Sequence, residues 1–147
     1  MTNQDKSPLS PEAVQLQAEL RHYTGDLERV RHPLKRQLIY TPGVHHLAEA
    51  AGAYWLIDIV ASWIGSHTFE QERRSNPSIE GLHTWSLEVA EDASAVVRAF
   101  GDNPEPPFAP KVFITQRIPF TDFILPEINL WCGFDGEHWT LYLPSEH

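Results

Sequence analysis

Between Thr41 and Gly65 the chain reads TPGVHHLAEAAGAYWLIDIVASWIG, and no other stretch constrains the fold as much. Thr41 followed by Pro42 is an N-cap followed by a first-turn proline. An apolar period then continues to Ile64 before Gly65 stops it, which predicts a helix over 42–64 about 34 Å long. At about 100° per residue, Ala53, Trp55, Leu56, Ile57, Ile59, Val60, Trp63 and Ile64 share one broad arc that must face a core. Gly52 lies inside the arc, where another backbone could approach closely. Tyr54, Asp58, Ala61 and Ser62 project the other way, so Asp58 reads as an ordinary surface charge. From Ala50 to Gly65 Asp58 is the sole charge, but sixteen residues fall short of the roughly 20 that cross a bilayer. A core helix is expected, and no membrane span.

The rest of the chain divides by period. Residues 1–9 are polar and read as a disordered tail, with a single domain expected over 10–147. Ser10 and Pro11 open a first helix in which Ala13, Leu16, Leu20 and Tyr23 keep three- and four-residue spacing, and Thr24-Gly25 ends it. A basic loop separates it from the second helix. From Leu82 onward the spacing becomes alternation broken by turn residues, the mark of antiparallel strands. Five are expected, near 82–90, 94–100, 111–119, 127–134 and 138–143, the last two joined by the hairpin signal Asp135-Gly136. GDNPEPPFAP over 101–110 reads as a proline-rich loop, 71–81 as a polar connection, and Phe120 to Phe123 as an irregular corner. Helices first and strands second give an α+β fold, with two N-terminal helices packed on one face of an antiparallel sheet of about five strands.

Alternation assigns the two faces of that sheet. Trp85, Leu87, Val89, Val112, Ile114, Ile118, Ile128, Leu130, Trp139, Leu141 and Leu143 should lie under the helices. Phe113, Trp131 and Tyr142 should then share the other face with Arg117 and Thr140, forming an aromatic row that is a candidate binding surface. Cross-strand packing beneath a loop, or a homodimer contact, is the competing use of such a row.

Other candidates are weaker. His45 and Glu49 sit one helical turn apart on the apolar side, with His46 beside them. A half-buried Glu49 could orient His45 as a general base, or the two could serve as metal ligands. HHxxE is a short signal, however, and zinc needs at least a third protein ligand. A hydrogen bond at the rim of the core is the competing reading. Cys132, the single cysteine, alternates into the core, where an unpaired thiol is inert. No glycine-rich phosphate loop, nucleophile elbow or metal-ligand spacing occurs in the sequence, so neither cofactor nor metal is expected.

Charge is unevenly distributed. The chain carries −9 overall, with six Lys/Arg against five Asp/Glu up to residue 36 and five against fifteen beyond it. Such a field repels nucleic-acid backbone and favours solubility or a basic partner, a solvated surface being the competing reading. Arg29, Arg31, Lys35 and Arg36, with His32, form the exception, a basic cluster that could hold a phosphate or carboxylate, with the offsetting of neighbouring acids as its competing use. One unpaired cysteine and no export signal point to the cytoplasm.

LRHYTG over 20–25, YTPGVHHLAEAAGAYWLIDIVASW over 40–63, QRIPFTDF over 116–123 and the closing LPSE together resemble an uncharacterised bacterial family, a domain of unknown function. The resemblance spans nearly the whole chain from Leu20, and departs from the family pattern at Pro42, Ile124 and His147. It assigns no activity. By analogy with small acidic proteins of mobile elements, it implies a non-enzymatic interaction protein that inhibits a nucleic-acid-binding host defence complex. A small enzyme or metal-binding protein using His45 and Glu49 is the alternative.

Overall fold

A computed structural model describes residues 9–25, 28–101 and 111–147. The expected tail over 1–9 and the proline-rich loop over 101–110 therefore fall almost wholly outside the described residues.

Each N-cap read from sequence forms. Ser10 Oγ accepts the Ala13 N–H at 3.1 Å and opens α1 (Pro11–Leu20), which buries Ala13, Leu16 and Leu20. This helix ends at Leu20 rather than at Tyr23. Thr41 Oγ1 accepts the Val44 N–H at 3.3 Å and opens α2 (Pro42–Ala51). The apolar stretch is not one long helix. Gly52 adopts φ +61°, and the Ala53 N–H reaches back to the Ala48 carbonyl at 2.8 Å, the closing bond of a Schellman cap. The chain restarts as α3 (Tyr54–Trp63), which buries Leu56, Ile57, Val60 and Ala61. A Cβ on Gly52 would meet nothing within 4 Å, so this glycine serves the left-handed turn and not a close backbone approach.

A further helix, α4 (His67–Ser75), and a 3-10 turn (Pro77–Glu80) occupy what reads in sequence as a polar connection. Phe69 is the one apolar side chain α4 buries, so the helix leaves almost no period for a reader to find. Ser66 Oγ caps it from the Phe69 N–H at 3.2 Å.

The sheet has seven described strands, not five, and is mixed rather than antiparallel. The strands are β1 (Val30–Arg31), β2 (Leu38–Tyr40), β3 (His83–Val89), β4 (Ala95–Phe100), β5 (Val112–Ile118), β6 (Glu127–Phe134) and β7 (Trp139–Tyr142). Their spatial order is β1-β2-β7-β6-β3-β4-β5. The five strands expected from alternation are β3 to β7. The missed pair is a hairpin inside the basic loop, and its β2 runs parallel to β7, with Ile39 opposite Thr140. Strands of two and three residues are too short to declare an alternation.

The helices bury one face of this sheet. Trp85, Leu87, Val97, Ile114, Leu130, Cys132 and Leu141 are all buried there, joined by Leu38 and Tyr40 from β2. Two tryptophans lock α3 to β5 and to the corner that follows it. Trp63 Nε1–H donates to Gln116 Oε1 at 2.7 Å, and Trp55 stands edge-on to Phe123 with ring centres 6.4 Å apart.

One corner joins the C-terminal turn to the end of α1 and the start of α2. Glu146 Oε1 accepts Thr41 Oγ1–H at 2.6 Å and the Leu143 N–H at 2.9 Å, while Oε2 accepts the Gly43 N–H at 3.2 Å. A carboxylate therefore sits at the N-terminus of α2, where the helix dipole and free N–H groups favour negative charge. The fit needs a glycine at position 43, because a Cβ there would lie 2.7 Å from both Glu146 Oε1 and Leu143 Cδ1. Ser145 Oγ–H donates to the Tyr23 carbonyl at 2.8 Å and ties down the end of α1. Glu146→Ala should lower unfolding free energy by about 2 kcal/mol through the loss of three hydrogen bonds to a charged group. Urea denaturation followed by tryptophan fluorescence would measure it, and an unchanged midpoint would deny this corner its stabilising role.

Candidate functional site

On the face turned away from the helices, the pairing register aligns one cross-strand row: Tyr142 of β7 opposite Trp131 of β6, Trp131 opposite Thr84 of β3, and Thr84 opposite Phe100 of β4. Trp131 and Tyr142 meet edge to face with ring centres 6.2 Å apart, and the His147 ring stands 4.9 Å from Trp131. All three row aromatics are half-buried, and none joins the core cluster.

Phe113 is not part of this row. The register between β4 and β5 shifts at Ala99/Phe100, where Ala99 opposes Ile114 but Phe100 opposes Val112. This bulge adds one residue to β5 and reverses the parity of everything before it. Val112, expected inside, becomes exposed, while Phe113 turns under the helices against Phe69 and His83, with both ring centres 6.1 Å away. Phe100 stands as the third aromatic instead. The alternation Ala95, Val97, Ala99 against Val96, Arg98, Phe100 contained that signal, but only a known pairing places Phe100 beside Trp131.

Arg117 shares the outer face but is not brought to the row. It opposes Val96, which places it roughly 14 Å along and 14 Å across the sheet from Trp131. Nearer by, a shallow concavity of about 370 Å³ opens beside Tyr142, lined among others by Arg29, Gly81, Gly133, Thr140 and His147. Its floor depends on Gly133, where a Cβ would come 3.1 Å from the Gly81 carbonyl oxygen.

The basic cluster is partly consumed by the fold. Lys35 Nζ–H donates to the Ile64 carbonyl at 2.8 Å, placing a cation at the end of α3. His32 is buried, its Nδ1 accepting the Leu34 and Lys35 N–H groups at 3.1 and 2.9 Å, which leaves the proton on Nε2 for Asp58 at 2.7 Å. Asp58, which the sequence left as an unremarkable surface charge, thus orients a buried imidazole. Arg29 donates to the Glu28 carbonyl at 2.7 Å, and Arg31 and Arg36 are exposed.

His45 and Glu49 follow separate partners. Glu49 accepts a hydrogen bond from Tyr54 Oη, which pushes the Tyr54 phenol up to about 12. The His45 ring lies between Tyr40 and Tyr54, with ring centres 6.3 and 6.1 Å away. Among the described residues no group of three or more His, Cys, Asp or Glu is placed to hold a metal ion, and no helix is long and apolar enough to cross a membrane.

Two buried titratable groups serve the core. Cys132 is wholly buried, and desolvation drives its thiol upward, away from the thiolate. His83 is enclosed by Phe69, Phe113 and Trp139, with Nδ1–H donating to the Ile79 carbonyl at 2.9 Å and Nε2 accepting Trp85 Nε1–H at 2.8 Å. Burial lowers it from 6.5 to about 4, so it stays neutral in the folded protein.

These features define an α+β domain with helices on one face of a mixed sheet and an aromatic row on the other. The chain belongs to a family of unknown function (DUF6876), whose model matches residues 14–147. No curated protein and no solved structure matches it.

His83 predicts a definite pH dependence. Its folded value lies below its unfolded one, so the unfolded chain binds the extra proton as pH falls. The contribution is fully present above pH 6.5 and is lost toward pH 4, a loss of roughly 3 kcal/mol. Urea melts at stepped pH, read beside the His83 ring signals by NMR, would check this; a folded ring that titrates near 6.5 would contradict the assignment.

Proposed function

We propose that this protein acts by binding another protein through the outer face of its sheet, with Trp131 and Tyr142 as the anchor. The observation that carries the reading is the row Tyr142, Trp131, Thr84, Phe100, whose three aromatics stand apart from the core cluster buried beneath the α-helices. Half-buried aromatics held edge to face offer large apolar area at little entropic cost, and such residues dominate interface energetics. The concavity beside Tyr142 gives this surface relief into which a partner side chain fits.

Charge selects the partner class. A chain at −9 repels nucleic-acid backbone and draws a basic surface toward it over long range. The partner whose chemistry matches is a basic, nucleic-acid-binding protein. The setting we infer is inhibition, with the acidic protein occupying the site that its partner offers to nucleic acid, as an element carried on a mobile genome would use against a host defence complex.

Tagged-protein capture from bacterial lysate with and without nuclease, washed at rising salt and read by mass spectrometry, is the direct test. A stoichiometric basic partner that survives nuclease but weakens with salt is the expected result. Against that purified partner, Trp131→Ala should weaken binding at least about tenfold. Unchanged affinity in a folded variant would place the interface elsewhere.

A further inference from the structure

At the end of the sheet opposite β1, strand β5 pairs with β4 on one side only, and among the described residues its other edge makes no backbone hydrogen bond. Along VFITQRI the N–H and C=O groups turned away from β4 are thus unpaired among the described residues, the arrangement that recruits another strand. By contrast, the other edge strand, β1, has only two residues.

We propose that β5 is the interface with a second copy of this chain, paired antiparallel about a two-fold axis through Gln116. The argument is the self-complementarity of the segment. A two-fold axis at Gln116 sets Thr115 opposite Arg117 and Ile114 opposite Ile118 of the second copy, the regular register ending at the bulge that precedes Ile114. Val112 and Phe120 are 43% and 71% exposed and flank the edge strand. Each stands just beyond one end of the regular pairing, where the end of the other strand approaches, so association takes exposed apolar surface out of water at both ends. No position places like charges directly opposite, since Arg117 faces a threonine.

Parity supports the same register. Gln116 and its symmetry mate point to the helix side, where Gln116 is already held by Trp63 Nε1–H at 2.7 Å. Thr115 and Arg117 point to the outer side and stay exposed. The two sheets then join into one continuous sheet, the outer faces align, and the Trp131–Tyr142 surface is presented twice. The inference stands on the edge alone and does not require the outer face to bind anything.

Electrostatics sets the conditions. Each copy carries −9, so repulsion between the two bodies opposes association. The segment that meets carries none of that negative charge, with Arg117 in its middle and Lys111 paired with Glu72 at 2.8 Å. Added salt screens the body-to-body repulsion and should strengthen the dimer.

Sedimentation equilibrium of the purified chain from micromolar to millimolar concentration, in low and in 0.15 M salt, at which the Debye length is about 8 Å, tests the proposal. The mass should rise from 16.8 kDa to twice that, at lower protein concentration in the higher salt. A nitroxide on Thr115→Cys reads the register, because native Cys132 is buried and escapes labelling. The two labelled Cα atoms would stand about 8 Å apart, giving strong dipolar broadening. Phe120→Asp, at a position outside the core, should weaken the dimer at least tenfold. A mass that stays at 16.8 kDa at every concentration overturns the proposal, and so does a dimer whose Thr115 label shows no broadening or which Phe120→Asp leaves unchanged.

Discussion

The carboxylate of Glu146 at the first turn of α2 is the interaction on which the arrangement of helices over sheet depends. Its three acceptor bonds join Thr41, Gly43 and Leu143, so the end of β2, the start of α2 and the segment after β7 meet at one charge. The parallel pairing of β2 with β7 is held from both sides there, by the Thr41 N–H to the Leu141 carbonyl at 3.1 Å and by Glu146 beyond it. Ser145 adds α1 to the same corner. Three of the sequence stretches that carry the family likeness, around Leu20 to Gly25, Tyr40 to Val44 and Leu143 to Glu146, thereby acquire a structural explanation that needs no catalysis. The rest of 40–63 and the stretch 116–123 are likewise absorbed by packing, through Asp58 on His32, Trp55 on Phe123 and Trp63 on Gln116.

How much of this was legible depended on the range of the interaction. Caps are local, and Ser10 and Thr41 worked where they were read. Alternation is local too, and it recovered β3 to β7 closely. The break at Gly52 was written as a single glycine inside an apolar arc that continued on both sides, and periodicity alone cannot distinguish a kink from a close approach. α4 concealed itself by burying one aromatic, and β1 and β2 by their length. β2 and α4 are stabilised by partners far along the chain, β2 by β7 about a hundred residues on and Phe69 of α4 by Phe113 and Trp139.

The candidate surface shows the same division. Trp131 and Tyr142 were placed together because both lie on regular strands joined by a tight hairpin. Phe113 was misplaced because one extra residue in β5 inverts its side, and nothing in VFITQRI declares a bulge. Arg117 was on the correct face yet remote from the row, because alternation reports side and not position across a sheet. The basic cluster, treated as a unit in sequence, divides into Lys35 and His32 that hold the hairpin to α3 and arginines that remain at the surface.

The corner at Glu146 also orders events in time. A chain leaves the ribosome from its N-terminus, and domains assemble as their segments become available. Here β2 has no sheet to join until β7 has been made, and the first turn of α2 lacks its carboxylate until residue 146 has emerged. The parallel edge of the sheet and the capped start of α2 are therefore completed only after β7 and residue 146 have been made. Closure of a loop more than a hundred residues long makes this final step slow relative to the local helices, and the interval before it is when the protein most needs protection from aggregation.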